Sequence, residues 1–256
     1  MKKRLVVTAD DAGLDPGMTS GAIEAHRNGI VTACSIVANG RAFDDAVARL
    51  RDVPSLEVGV HLTLVEEESL TTGERMPRNW MRFLVSRRGD VEGELRLQIE
   101  KVIAAGVRVA HLNSHQHLHM LPTLYRLVVR LAEEYRIPYV RKVGDRGGAF
   151  GVRRAIFRAI GGGQPPRLSG QARAPVLHSS RTIGVVDAGH LTADRIIALL
   201  DHVEGTTELV AHPGIGVSGY SHWRYDWETE TRALCDSRVR DAIAARGIEL
   251  VAPSHL

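Results

Sequence analysis

Short aliphatic and β-branched runs alternate with longer amphipathic stretches from one end of this 256-residue chain to the other. The runs read as strands at Arg4 to Thr8, Ala33 to Ala38, Leu56 to Leu64, Val107 to Leu112, Pro138 to Val143, Thr182 to Val186, Glu208 to Ala211 and Ile248 to Ala252. Helical patterns fill the gaps. The first opens with Asp15 as N-cap and Pro16 in its first turn and closes near Gly29, following the proline-in, glycine-out asymmetry of helix ends. Another, after Pro122, puts Leu124, Leu127, Val128 and Leu131 on one face, as a helix laid on a sheet requires. Alternation of this kind builds parallel βα units. About seven or eight of them predict an α/β fold, a distorted (β/α) TIM-like barrel, in preference to an open doubly wound sheet.

Two segments break the rhythm. Residues 65–90 are polar and basic, and residues 144–181 carry Gly147-Gly148, the run Gly161 to Gly163 and Pro165-Pro166. Neither glycine run joins a strand to a helix in a phosphate-binding pattern. Both segments therefore read as insertions in a single domain spanning 1–256, long enough to act as lids over a site.

Composition narrows the classes. The net charge of +3 comes from basic residues scattered among acidic ones, with no basic block, which argues against a nucleic-acid surface. Cys34 and Cys235 lie far apart and imply no disulfide framework. The apolar run behind Lys2, Lys3 and Arg4 is too short for a signal peptide, and no stretch approaches the roughly 18 apolar residues of a membrane span. The expectation is a soluble cytoplasmic protein.

Histidine then changes the picture. His111, His115, His117 and His119 crowd into one short segment after an apolar strand, and imidazole is the commonest protein ligand of divalent transition metals. In parallel barrels the reacting residues collect where strands end. Asp10 and Asp11 follow the first strand, His61 lies at the end of the third, His115 follows the fourth, Arg141 ends the fifth and His212 follows the seventh. One carboxylate and two imidazoles make a donor set that leaves metal positions open for water and substrate. Of the adjacent aspartates, one can bind the metal while the other takes a proton from water, and His212 can protonate a leaving nitrogen.

The segments Thr8 to Gly13, Gly59 to Leu64, His111 to His119 and His212 to Gly214 resemble, in order and spacing, the motifs of the YdjC-like carbohydrate deacetylases, a family that includes chitooligosaccharide and hopanoid-associated deacetylases. The segments Ile23 to Ile30 and Val37 to Gly40 fit as well. The resemblance implies a metal-dependent hydrolase removing acetyl from an N-acetylated amino sugar, on an oligosaccharide or a glycolipid. It implies Asp11, His61 and His115 as metal ligands, Asp10 as base, His212 as acid, and Arg141 as a group orienting Asp10 or substrate. His117 and His119, with Asn113, are expected to hydrogen-bond behind the ligands or to meet substrate. This donor set favours zinc, with magnesium, manganese or cobalt also accepted by related sites. A homodimer is also implied, although no stripe marks its interface.

This chain departs from the family pattern at Ala12, where phenylalanine is usual, and at Asn113, where many members have aspartate. The second change is similar to the hopanoid-associated branch and bears on substrate identity more than on reaction type. The rival enzyme class is a metal-dependent phosphoesterase or amidohydrolase, which commonly needs a His-x-His pair after the first strand that this chain lacks. A non-catalytic metal- or sugar-binding module is the other rival, and the retained aspartate pair argues against it. Tyr220, His222, Trp223, Tyr225 and Trp227 offer either a stacking face for a sugar or simple packing of a loop.

Overall fold

The computed structural model of the chain describes residues 2–86, 89–142 and 176–256. Within them the strands are β1 (Lys3–Ala12), β2 (Ala33–Ile36), β3 (Glu57–Leu62), β4 (Val109–Ser114), β5 (Tyr139–Val140), β6 (Arg181–Ile183), β7 (Thr206–Ala211) and β8 (Ile248–Leu250). The helices are α1 (Pro16–Arg27), α2 (Phe43–Arg51), α3 (Trp80–Val85), α4 (Val91–Ala104), α5 (Pro122–Glu134), α6 (Ala193–Leu200), α7 (Trp227–Cys235) and α8 (Ser237–Ala245). The strands form one parallel sheet in the order β5-β4-β3-β2-β1-β7-β6, and β8 pairs with the start of β1. The sheet curls until its two edges approach. Thr182 Oγ1 in β6 donates to the carbonyl of Lys142 just past β5 at 2.6 Å. The result is an incomplete parallel barrel whose gap is spanned by the Thr182 side chain and by a backbone bridge between Tyr139 and Leu177, just ahead of β6.

Alternation along each strand separates two environments. Leu5, Val7 and Ala9 of β1, Cys34 and Ile36 of β2, Val58, Val60 and Leu62 of β3, and Leu112 of β4 join the apolar core between sheet and helices. The positions between them face the barrel interior and carry polar groups, among them Thr8, Ser35, His61, His111, Asn113 and Glu208, all buried. Gly59 belongs to this inner set for a steric reason. A Cβ there would lie 2.4 Å from the His111 ring, so only glycine lets the imidazole fill the barrel at this level. Helix α1 starts as its sequence predicts, with the Asp15 side chain accepting from Gly17 N at 2.9 Å, and on α5 Leu124, Val128 and Leu131 are buried while Leu127 is half-buried.

Several boundaries differ from the sequence expectation. Strand β1 runs past Thr8 through both aspartates to Ala12, because Ala12 still pairs with Ile36 after a register shift beyond Ala9. Strand β4 starts later than its apolar run and continues to Ser114, since His61 and Leu62 of β3 pair with Asn113 and Ser114. Strand β6 stops at Ile183 because Gly184 turns left-handed at φ +86°. The insertion at 65–90 contains α3 and an antiparallel bridge between Glu68 and Arg75. Most of the other insertion, with its glycine and proline runs and the end of the fifth predicted strand at Val143, lies outside the described residues.

Candidate metal centre

Neighbouring residues of a regular strand point to opposite faces, so Asp10 and Asp11 should not share a site. The β-bulge in β1 resolves this. The ladder shifts between Ala9 and Ala12, Asp11 adopts φ +69°, and both carboxylates line one cleft of about 340 Å³ at the carboxyl ends of the strands. His61, His115, His117 and His212 line the same cleft.

Asp11 faces two imidazoles. Its Oδ1 lies 3.2 Å from His61 Nε2 and 3.1 Å from His115 Nδ1, and one donor atom from each residue falls within 4.8 Å of the others. Among the described residues this is the group of three His, Cys, Asp or Glu side chains arranged to hold a metal. The surroundings fit such an ion. His61 Nδ1 is 2.7 Å from Asn113 Oδ1, which can only accept, so the ring carries its proton there and presents a bare Nε2 to the centre. Burial by itself lowers the His115 pKa, but Asp11 and Glu66 overcome it and push the group up to about 10. The position therefore favours positive charge, which a divalent cation would supply while leaving the imidazole neutral and able to ligate.

Asp10 has a different environment. Its Oδ1 accepts from Ser35 Oγ at 2.7 Å, Asn113 Nδ2 at 2.9 Å and Arg141 Nη2 at 2.9 Å, and its Oδ2 accepts from Arg141 Nη1 at 2.5 Å. Burial raises its pKa, yet Arg141 and then His61 hold it far below the ordinary carboxylate range. Arg141 is itself fully buried, and its Nε donates to Glu208 Oε1 at 2.9 Å. Glu208 is completed by Thr8 Oγ1 and Tyr139 Oη, each at 2.7 Å. A carboxylate, a guanidinium and a second carboxylate thus lock together in the barrel interior.

His212 sits on the turn after β7. That turn lies directly on α1 because Gly21 has no Cβ, which would otherwise meet Gly214 N at 2.3 Å. Glu230 Oε1 accepts from the His212 backbone N–H at 2.5 Å and lies 3.8 Å from its Nδ1. Burial lowers the His212 pKa, but Glu230 and Asp11 outweigh it and raise it overall.

The remaining histidines divide. His119 ties strand ends together, with Nδ1 at 2.6 Å from Ser114 Oγ and Nε2 at 3.0 Å from the Arg141 carbonyl, and burial pushes its pKa down to about 3. His117 lines the cleft in a left-handed conformation, φ +55°. His111 is enclosed in the barrel, its ring edge-on to Tyr139 at 6.4 Å. In the aromatic group, Trp223 stacks on His115 at 5.1 Å and Tyr225 meets His212 edge-on at 5.4 Å, whereas Trp227 packs on Leu14, Met18 and Val37.

Sequence reasoning passes over Ser35, Glu66, Tyr139, Glu208 and Glu230. Glu208 left a signal, since a carboxylate opening the apolar run to Ala211 in a buried parallel strand needs a partner. Ser35, Glu66 and Glu230 left none, because their roles depend on which strands and loops become neighbours.

The curled parallel barrel, with a donor triad and a clamped carboxylate in one cleft at its strand ends, defines an α/β barrel protein built around a candidate metal centre. The sequence profile of the YdjC-like protein family matches residues 4–245, and the chain belongs to that family. A carbohydrate deacetylase of Geobacillus stearothermophilus is 31% identical over 98% of this chain and 97% of its own length. A chitooligosaccharide deacetylase of Citrobacter koseri is 30% identical over 98% of each. Among solved structures, a protein of Enterococcus faecalis V583, described provisionally as a cellobiose-phosphate cleavage protein, matches with a TM-score of 0.78 and 24% identity, over 100% of this chain and 99% of its own, and so shares the fold.

Proposed function

We propose that this protein is a divalent-metal-dependent hydrolase that removes the acetyl group from an N-acetylated amino sugar. The observation that carries the reading is the division between adjacent carboxylates: Asp11 faces two imidazoles, while Asp10, in the same cleft, is clamped by Arg141. Full-length relatives named as carbohydrate and chitooligosaccharide deacetylases support the reaction class.

In this reading Asp11, His61 and His115 hold the ion. Its Lewis acidity, when bound, polarises the acetamide carbonyl and makes water a better nucleophile at neutral pH. Asp10 accepts the proton of the attacking water on Oδ2, the oxygen with a single donor, and Arg141 with Asn113 keeps that carboxylate oriented. His212 donates a proton to the departing amine, and its raised pKa keeps the proton available. The substrate is an N-acetylglucosaminyl oligosaccharide or glycolipid, and the protein is expected in the cytoplasm. No helix among the described residues is long and apolar enough to cross a membrane.

The test is acetate release from a panel of such compounds by protein supplied with Zn2+, Mg2+, Mn2+ or Co2+, with His115→Ala beside it. Release that needs both added metal and His115 supports the reading. Metal bound without release from any member, and turnover of generic phosphate esters instead, would sink it.

A further inference from the structure

Among the described residues, the non-glycine positions in left-handed backbone are Asp11, Glu66, Gln116, His117, Arg136, Tyr220 and Arg224. Apart from Arg136, they lie in the bulge and loops around the metal cleft. Such conformations cost of order 1–3 kcal/mol each and persist only where surrounding structure imposes them, so each poses a question of purpose. Asp11 has its answer in the bulge. Glu66 does not, for it lies in the first turn of the insertion and is no member of the donor triad.

Its contacts supply the answer. Glu66 has φ +68° with its N–H held by the Pro77 carbonyl at 2.9 Å, which turns a buried carboxylate back over the cleft. Its Oε2 lies 3.3 Å from His115 Nε2 and accepts from Trp223 Nε1 at 3.0 Å, while Gln116 Nε2 donates to Oε1 at 3.4 Å. The Trp223 ring in turn stacks on the His115 ring, 5.1 Å between centroids and 27° between planes. His115 is therefore fixed in position by a hydrogen bond at one edge and an indole on its face.

We infer that Glu66 is a positioning residue for the metal ligand His115, holding its proton on Nε2 so that Nδ1 is presented to the ion. His61 has the opposite arrangement, with Nδ1 protonated toward Asn113 and Nε2 toward Asp11. The two imidazoles thus ligate through different nitrogens, each fixed by its own acceptor. A carboxylate behind a ligating histidine orients the ring and raises its basicity, and losing such a partner typically costs 10–100-fold in metal affinity. This inference rests on the metal reading of Asp11, His61 and His115, but not on the identity of the substrate.

The experiment is titration of the metal-free protein with Co2+, read by its visible absorption, and with Zn2+ by calorimetry. Wild type, Glu66→Gln, Glu66→Ala and His115→Ala are compared. Glu66→Ala is expected to weaken binding about 10–100-fold and to alter the cobalt spectrum as the ring is released. Glu66→Gln, whose amide oxygen still accepts from Nε2–H, is expected to recover most of the affinity and the wild-type spectrum. Glu66→Ala binding as tightly as wild type would overturn the inference, and so would a Gln variant no better than Ala. A wild type that takes up neither ion would instead overturn the metal reading on which the inference stands.

Discussion

The floor and the mouth of the barrel use the same residue types to opposite ends. On the floor, Asp10, Arg141 and Glu208 are buried and mutually satisfied, with donors also supplied by Ser35, Asn113, Thr8 and Tyr139. At the mouth, Asp11, His61 and His115 bring one possible ligand atom each within 4.8 Å of the others, and the charge beside Asp11 rests on the exchangeable proton of His115. Charge burial is tolerated on the floor because each ion finds a partner within the chain. At the mouth, in the proposed reading, a bound cation would meet the same demand. Two adjacent aspartates thus receive different chemistry from their neighbours alone.

The comparison predicts an order of effects. Asp11→Asn or His115→Ala removes a donor at the mouth, and we expect metal binding and acetate release to fall to background, measured by calorimetry and product assay. Asp10→Asn should lower kcat by about 10²–10⁴-fold while leaving metal affinity close to that of wild type, because in the proposed mechanism it removes the base and no ligand. A variant that kept near-full turnover would remove Asp10 from the mechanism. Arg141→Met strands two buried carboxylates on the floor, and we expect a loss of about 3–5 kcal/mol in chemical denaturation, where a mouth variant loses little.

A pH titration sharpens the contrast between the two aspartates' surroundings. In the metal-free protein the His115 pKa is raised to about 10, so below that value an incoming ion must displace a proton. Affinity should therefore rise by about tenfold per pH unit between neutrality and pH ~10, with about one proton released per ion in calorimetry across different buffers. Asp10, held far below the carboxylate range, adds no proton competition in that window. The smallest effect expected is that of Ser35→Ala, which removes one of the donors to Asp10 Oδ1 and should cost about 1 kcal/mol in stability with a modest fall in kcat.

Much of this was legible in the chain. Alternating Val58, Val60 and Leu62 against Gly59 and His61 announces a strand with helices on one side and a tight interior on the other. The capped start of α1, the amphipathic face of α5 and the placement of Asp, His and Arg at strand ends follow from local rules of the same kind. Less legible was the bulge, since nothing in Thr8 to Gly13 says that Asp11 turns left-handed and brings both carboxylates to one cleft.

Periodicity and residue chemistry by themselves pointed to parallel βα units and a histidine-rich site, and the ordered motifs to the family that the chain resembles, because these depend on patterns within one element or on motif order. The resemblance already implied Asp11 beside His61 and His115; only the tertiary structure decided how a bulge brings it there, that Glu208 stands behind Arg141, that His119 is a strut between strands, and that Glu66 and Trp223 grip His115. Each of those outcomes joins residues far apart in the chain. A pKa or a hydrogen-bond partner depends on distances of a few ångströms that exist only once the sheet has curled.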